Sequence, residues 1–178
     1  MIVKAIFSGF GGQGVLMMGY TFALAAMNQG FEVTYLPAYG AEVRGGTANC
    51  TVAVADEEIA SPIASEPDYV VVLNTPSLYT FQNRIASGGL LLLNSSIISA
   101  RSSRADIEVI EIPAGEIADS LGNSKASNTV MMGGFLKRIG LIKPEIYLKS
   151  LEEIMGSKKK ALVELNRNAF TAGYSSIK

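Results

Sequence analysis

A glycine-rich string near the amino terminus has the spacing of a phosphate-binding loop. Gly9, Gly11 and Gly14 fit the pattern G-x-G-x-x-G. Glycines permit a tight turn and the close approach of a ligand, and the start of a following helix offers unpaired N–H groups and a positive dipole end. We therefore predict that the ligand-binding residues of this string are Gly9, Gly11, Gly12, Gln13 and Gly14. The alternative is that the glycines only allow the strand and the helix to pack closely, and the motif alone does not separate the two.

A dinucleotide is a poor candidate for the ligand. A loop that binds NAD is accompanied by an acidic residue near the carboxyl end of the second strand, where it holds a ribose. That end reads Tyr35-Leu36-Pro37, and Glu32 lies at the opposite end of the strand. The sequence therefore disfavours nicotinamide and flavin dinucleotides and leaves other phosphate-bearing ligands open.

A second loop with polar side chains follows the second strand. Arg44 offers a planar fork for a phosphate or carboxylate, Tyr39 offers a ring and a hydroxyl, and Glu42 is suited to orient Arg44 or to pair with a partner chain. The alternative is that Glu42 and Arg44 are ordinary solvated charges. The second set of predicted binding residues is Tyr39, Gly40, Glu42, Arg44, Gly45 and Gly46.

The elements that would position these loops form a βαβ unit. We predict a strand over Met1 to Phe7, a helix over Val15 to Asn28 and a strand over Phe31 to Leu36 that Pro37 stops. Such a unit implies two parallel strands, whose carboxyl ends would lie side by side at the edge where α/β proteins bind ligands. Asn74 and Asn94 follow later strands and are expected at the same edge.

The rest of the chain alternates apolar strands with helices. The strands are predicted over 49–55, 69–73, 90–93 and 108–112, and the helices over 77–86, 117–121, 128–139, 144–155 and 159–172. This order predicts an α/β fold: a three-layer α/β/α, Rossmann-like domain with a mostly parallel sheet, formed by residues 1–178 as a single domain. Asn128 is expected to cap its helix, with a place at the ligand edge as the alternative. Met131 and Met132 are expected in the core.

Composition excludes several classes of protein. The 178 residues contain no histidine, which rules out a Ser-His-Asp triad, a Cys-His pair and an HExxH metal site within this chain. The single cysteine, Cys50, is expected in the core, and alone it forms no internal disulfide, structural zinc site or self-contained iron–sulfur cluster. A net charge of −1 leaves no basic surplus to neutralise a phosphate backbone, which argues against nucleic-acid binding. We expect a cytoplasmic protein with no membrane span and no signal peptide, since no apolar run has the length or flanks of either.

These strings together resemble those of a known family. The first two are Gly9-x-Gly11-Gly12-Gln13-Gly14 and Pro37-x-Tyr39-Gly40-x-Glu42-x-Arg44-Gly45-Gly46. Shorter matches are Ser61-Pro62, Pro67-Asp68, Ile112-Pro113-Ala114 and Leu121-Gly122-Asn123 with Asn128. In combination they resemble the gamma subunit of 2-oxoacid:ferredoxin oxidoreductases, from about Met1 to Ile142. The string from Leu36 to Arg44 is most similar to the 2-oxoglutarate and branched-chain versions, and pyruvate stays open.

The resemblance implies a role within a complex. The complex would oxidatively decarboxylate a 2-oxoacid, form an acyl-CoA and reduce ferredoxin. Thiamine diphosphate would lie between the alpha and beta subunits, and iron–sulfur clusters in beta and in a delta or ferredoxin-like chain. The gamma chain would hold no catalytic residue and no metal, would help to bind coenzyme A, and would dock on its partner subunits. Alone it would be inactive, and it could form a homodimer through its docking face.

Two other functions stay open on the residues alone. One is a free-standing nucleotide-binding oxidoreductase or methyltransferase-like enzyme that uses the glycine loop. The other is a scaffolding subunit in which both loops are a protein interface.

Overall fold

The computed structural model describes residues 1–39, 47–156 and 159–177. Its strands are β1 (Ile2–Phe10), β2 (Glu32–Tyr39), β3 (Thr47–Ala55), β4 (Tyr69–Val72), β5 (Leu90–Asn94) and β6 (Glu108–Ile112). Its helices are α1 (Val15–Asn28), α2 (Thr75–Phe81), α3 (Ala114–Ser120), α4 (Ser127–Ile139), α5 (Pro144–Met155) and α6 (Lys160–Ser175). Short 3₁₀ turns cover Gln82–Arg84 and Ser124–Ala126. No described helix is long and apolar enough to cross a membrane.

The strands form one mixed sheet in the order β2-β3-β1-β4-β5-β6. The pairs β1–β4, β4–β5 and β5–β6 are parallel, and β3 runs antiparallel to both β1 and β2. The predicted α/β fold with a mostly parallel sheet is therefore confirmed. The predicted pairing of the first two strands is wrong, because β3 lies between them.

The sequences of β2 and β3 explain why β3 takes the inner position. Its residues Cys50, Val52 and Val54 are completely buried, whereas Leu36, Pro37 and Ala38 of β2 are exposed. Proline has no N–H for a second neighbouring strand and is tolerated on an edge strand. For the same reason Pro37 does not stop β2, which continues to Tyr39 as the edge of the sheet.

Helices cover the two faces of the sheet unequally. On one face, α1 and α3 to α6 contribute to the larger buried cluster, at whose centre Phe7, Phe22 and Phe135 meet edge to face with ring centroids 5.4–5.8 Å apart. On the other face, α2 supplies Leu78 and Phe81 to a smaller cluster. The three predicted layers are present, with one layer much thinner than the other.

Three predicted core residues are in the core. Met131, Met132 and Cys50 are fully buried. Burial raises the pKa of the Cys50 thiol to about 12, so this side chain stays neutral and packs as a small apolar group. The grouping of residues 1–178 into a single domain stays a prediction.

Candidate functional site

The glycine string forms a tight turn between β1 and α1. The N–H of Gln13 donates to the carbonyl of Phe10 at 3.1 Å, which closes a four-residue turn with Gly11 and Gly12 at its centre. Gly12 has a φ of +96°, which a type II turn requires at its third position and which glycine adopts without strain. A Cβ at Gly12 would meet no neighbour, so the turn is open on that side.

Gln13 braces this turn against the sheet. Its Oε1 accepts the N–H of Phe10 at 2.6 Å, and its Nε2 donates to the carbonyl of Leu73 at 3.2 Å. A Cβ at Gly9 would lie 2.6 Å from that same Oε1, so Gly9 leaves the space that the Gln13 side chain occupies. Both polar ends of Gln13 are thus engaged within the protein, and its contact with a ligand stays a prediction.

Gly14 starts α1 and leaves its amino terminus uncapped. Gly14 has a φ of +77°, no side chain caps the helix, and its first turn holds no acidic residue. The first intrahelical bond runs from the N–H of Met18 to the carbonyl of Gly14 at 3.0 Å. The preceding N–H groups and the positive end of the helix dipole therefore favour a negatively charged group.

Asn128 packs against Gly14 and does not cap its helix. Helix α4 begins at Ser127, and its N-cap residue is Ala126, which makes no side-chain cap. The Oδ1 of Asn128 accepts the N–H of Thr129 at 2.8 Å, and a Cβ at Gly14 would collide with the Asn128 amide. The predicted cap is wrong. The alternative, a position beside the glycine loop, is the one observed, because Asn128 lies one residue inside the first turn.

The glycine loop lies at the topological switch point of the sheet. From β1 the chain proceeds through α1 to β2 and β3 on one side, and from β4 it proceeds through α2 to β5 on the other. Ligands of open α/β sheets bind in the crevice at such a point, outside the carboxyl ends of the strands. The loop that the sequence singled out therefore occupies the position that the topology favours for a ligand.

Asn74 and Asn94 lie at the same edge, as predicted, and tie elements together there. The Oδ1 of Asn74 accepts the N–H of Ser77 at 2.8 Å at the start of α2. The Oδ1 of Asn94 accepts the N–H groups of Ser96 and Ala114, both at 3.2 Å. Both residues are 1% exposed, and their visible role is to fix the backbone around the crevice.

The second predicted loop is anchored beside the first. Tyr39 pairs with Ala48, which pairs with Gly9, so Tyr39 and Gly9 lie in one row, about 10 Å apart at the usual strand spacing. Thr47 pairs directly with Phe10. Both ends of the loop are thus at the glycine-loop edge. Gly40, Glu42, Arg44, Gly45 and Gly46 lie outside the described residues, as does the side chain of Tyr39.

Sequence reasoning missed a cleft that opens beside Gly14. Its volume is about 280 Å³, and Asn123, Lys125 and Tyr147 line it together with residues of α1, α4, α5 and α6. The sequence analysis had named Gly14, Asn123 and Asn128 of its lining, but it had not brought them together as one site. Among the described residues, no cluster of three or more His, Cys, Asp or Glu side chains could hold a metal ion.

Comparison with known proteins places these features in one family. A sequence profile of the family described as pyruvate ferredoxin/flavodoxin oxidoreductase matches residues 4–176. The ketoisovalerate oxidoreductase subunit VorA of Methanothermobacter thermautotrophicus is 38% identical over 173 residues, which cover 96% of this chain and 35% of VorA. The 2-oxoglutarate synthase subunit KorC of Methanocaldococcus jannaschii is 30% identical over 174 residues, which cover 96% of this chain and 91% of KorC. The chain therefore spans about a third of VorA and nearly all of KorC.

Two solved structures have the same fold. A keto/oxoacid ferredoxin oxidoreductase gamma subunit from Geobacter sulfurreducens superposes with a TM-score of 0.87 at 24% identity, covering 98% of this chain and 95% of that one. A 2-oxoglutarate:ferredoxin oxidoreductase from Magnetococcus marinus, with 2-oxoglutarate, coenzyme A and succinyl-CoA bound, gives 0.90 at 20% identity and covers 98% of this chain and 30% of that one. Because both identities are below 25%, these two structures support the fold of this chain and nothing about its function.

Proposed function

The chain belongs to the pyruvate ferredoxin/flavodoxin oxidoreductase family, and on this premise we propose that it is the gamma subunit of a multi-subunit 2-oxoacid:ferredoxin oxidoreductase. The observation that carries the proposal is the match over nearly all of KorC, a subunit of its own, alongside the match to a third of VorA. The same module thus exists both as a separate chain and within a longer one.

The proposed reaction is the oxidative decarboxylation of a 2-oxoacid to an acyl-CoA with reduction of ferredoxin. We assign no catalytic residue to this chain: it has no histidine to act as an acid or base, and its one thiol is buried and neutral at physiological pH. An iron–sulfur cluster needs several cysteine ligands, and the chain has one cysteine. We assign thiamine diphosphate to the alpha and beta subunits, and the clusters to beta and to a delta or ferredoxin-like chain.

We assign coenzyme A binding to the edge that carries the glycine loop. The uncapped start of α1, with no acidic residue in its first turn, suits a phosphate group of this co-substrate. The backbone of Gly12 is open to a ligand, and the second loop leaves and re-enters the sheet at the same edge. Arg44 on that loop is the predicted phosphate partner.

The substrate is proposed to be 2-oxoglutarate or a branched-chain 2-oxoacid, in keeping with the names of the relatives and with the string from Leu36 to Arg44. The chain is proposed to act in the cytoplasm. Its docking partners are the alpha, beta and delta or ferredoxin-like subunits, and when isolated it could pair with itself.

Activity assays of the reconstituted complex and of the isolated chain test the proposal. The full complex should oxidise the 2-oxoacid with a viologen acceptor in the presence of coenzyme A, and the isolated chain should not. Turnover by the isolated chain would refute the proposal. Saturable micromolar binding of NAD, NADP or S-adenosylmethionine would instead favour a free-standing nucleotide-dependent enzyme.

Arg44→Ala tests the coenzyme A site within that complex. Loss of one charge-assisted phosphate contact should raise the KM for coenzyme A by about 10-fold or more, since such hydrogen bonds contribute about 1.5–3 kcal/mol. The matched control is Arg167→Ala on α6, an exposed arginine whose ion pair with Glu152 is long, at 3.3 Å. If calorimetry finds the coenzyme A affinity of the complex unchanged by Arg44→Ala and by glycine-loop variants, the loops serve as an interface only.

A further inference from the structure

The cleft beside Gly14 has an apolar floor and a more polar rim. Its floor includes Met18, Met132, Tyr147 and Leu151, each no more than 4% exposed. Its rim includes exposed Lys125 and half-buried Asn123 and Asn128. The volume of about 280 Å³ lies just below the range of about 300–1,000 Å³ that is typical of ligand pockets. The cleft therefore suits a small molecule, and a whole dinucleotide is too large for it.

Methionine dominates the apolar wall. Met17, Met18, Met132 and Met155 all line the cleft, out of seven methionines in the chain. Flexible, polarisable thioethers adapt to ligands of irregular shape, and they are common on surfaces that accept several related molecules. The wall thus suits a short apolar tail.

A tyrosine forms part of the floor. Tyr147 is 1% exposed, and its ring stacks on Phe170 with centroids 5.0 Å apart. Burial raises the pKa of its hydroxyl, which therefore stays protonated and able to donate. An acceptor oxygen of a ligand in the cleft would take this hydrogen bond.

The other polar groups of the walls are already engaged. Thr129 Oγ1 donates to Asn166 Oδ1 at 2.7 Å, Asn166 Nδ2 donates to the carbonyl of Leu162 at 2.9 Å, and Thr21 Oγ1 donates to the carbonyl of Met17 at 2.8 Å. What remains for a ligand is a set of donors.

Those donors are the hydroxyl of Tyr147, the side-chain amides of Asn123 and Asn128, and the ammonium of Lys125, which forms no ion pair with any described residue. No acidic side chain is among the described residues that line the cleft, and the positive end of α1 lies at Gly14. Donors, a cation and a helix start all favour an anion with several acceptor oxygens.

We propose that this cleft binds a small carboxylate with a short apolar tail: the carboxylate lies at the rim formed by Asn123, Lys125 and Asn128, and the tail lies on the methionine floor. The cleft shares Gly14 and the amino-terminal end of α1 with the proposed coenzyme A site, and its other recognition groups, Asn123, Lys125 and Asn128, are its own. Its ligand would be a small branched aliphatic acid.

Methyl NMR of the full chain with carbon-13 in the methionine methyl groups tests the proposal with internal controls. Titration with isovalerate should shift Met17, Met18, Met132 and Met155 in a saturable way. Met27, exposed near the other end of α1, and Met131, fully buried beside Met132, do not line the cleft and should not move. Equal shifts at Met27 and Met131, or no saturation by about 20 mM ligand, would overturn the proposal, because a ligand of this size should bind at millimolar concentration or better.

Two matched ligands separate the head from the tail. Isoamyl alcohol has the same branched tail without the charge, and acetate has the same head without the tail. Each should bind at least about 5-fold more weakly than isovalerate, since each lacks one half of the recognition. Equal affinity of the alcohol and the acid would refute the anionic head. Displacement of isovalerate by adenosine bisphosphate, with shifts at the same methionines, would make the cleft part of a nucleotide site and would also overturn the proposal.

Two variants locate the contacts. Tyr147→Phe keeps the stacked ring and removes the hydroxyl, and it should raise the Kd for isovalerate about 2- to 10-fold. Its control is Tyr79→Phe on α2, where the tyrosine is 60% exposed. Lys125→Gln should weaken binding and reduce its dependence on salt, whereas Lys149→Gln on α5 should change neither. An unchanged Kd in both cleft variants would refute the site.

Discussion

Two helices start at the same crevice, and only one of them has its amino terminus capped by a side chain. Helix α1 follows β1, and α2 follows β4, the parallel neighbour of β1. At α2, Asn74 accepts the N–H of Ser77, whose hydroxyl lies 2.8 Å from that of Ser8. At α1, Gly14 offers no side chain. One helix start is closed by the protein itself, and the other is open to a ligand.

The difference shows that position in the fold does not make a binding site without the right residue. An asparagine at the N-cap satisfies one of the orphan N–H groups, and a glycine leaves them all to solvent or to an anion. The positive φ of Gly14 and its contact with Asn128 also exclude a larger residue there. The open start of α1 is thus enforced locally.

Gly14→Ala should have the largest effect on stability. A left-handed φ costs a non-glycine residue about 1–2 kcal/mol, and the new Cβ would collide with Asn128, which adds about 1–3 kcal/mol. We expect a loss of about 2–4 kcal/mol in the free energy of unfolding by urea denaturation, together with weaker coenzyme A binding.

The matched control is Gly12→Ala, whose Cβ would meet open space and whose cost should be only the backbone term of about 1–2 kcal/mol. Adding Asn128→Ala to Gly14→Ala should recover part of the loss. If the two glycine variants are equally destabilised, Asn128 does not restrict the loop.

Asn74→Ala should destabilise the protein and leave coenzyme A binding intact. Removal of an N-cap costs about 1–2 kcal/mol, and the closed helix start takes no ligand. Thermal unfolding and calorimetry on the complex measure the two effects. Asn74→Ser, which keeps a capping oxygen, should lose less, and a drop in coenzyme A affinity with Asn74→Ala would mean that both helix starts bind the ligand.

Gln13→Ala should reduce the stability of the protein less, and it should increase the local opening of the glycine loop. It leaves the N–H of Phe10 and the carbonyl of Leu73 without their side-chain partner at a half-buried site, at a cost of about 1 kcal/mol. Hydrogen exchange of the Phe10 amide should speed up in this variant. Gln13→Glu keeps the acceptor for Phe10 and should protect that amide; if exchange does not change in Gln13→Ala, the brace is unimportant.

Met17→Glu should change the free energy of unfolding least of these variants, and it should increase it. A carboxylate in the first turn of α1 interacts with the positive end of the helix and should stabilise the fold by about 0.3–1 kcal/mol at low salt. The same charge should repel an anionic ligand, so stability rises while coenzyme A binding weakens. Met17→Gln is the uncharged control. If the gain in stability of Met17→Glu persists at high salt, it does not come from the helix dipole, and the prediction is wrong.

Local signals in the sequence were sufficient to predict most of the helices and strands. The bounds of α1, α5 and β6 agree with the prediction, because glycine, proline and apolar periodicity mark their ends within the segment itself. The glycine loop and its place after the first strand were also predictable, since a turn with positive φ at Gly12 needs only its own residues.

The tertiary structure decided everything that depends on distant partners. The insertion of β3 between β1 and β2, the brace from Gln13 to Leu73 and the contact of Asn128 with Gly14 each join residues far apart in the chain. The described cleft walls come from four helices and the turn around Lys125, which only the packed fold brings together. Sequence alone thus determined where the backbone turns and which residues are apolar. Which elements became neighbours was settled by burial and hydrogen bonding across the whole molecule, because those energies depend on contacts that no local pattern contains.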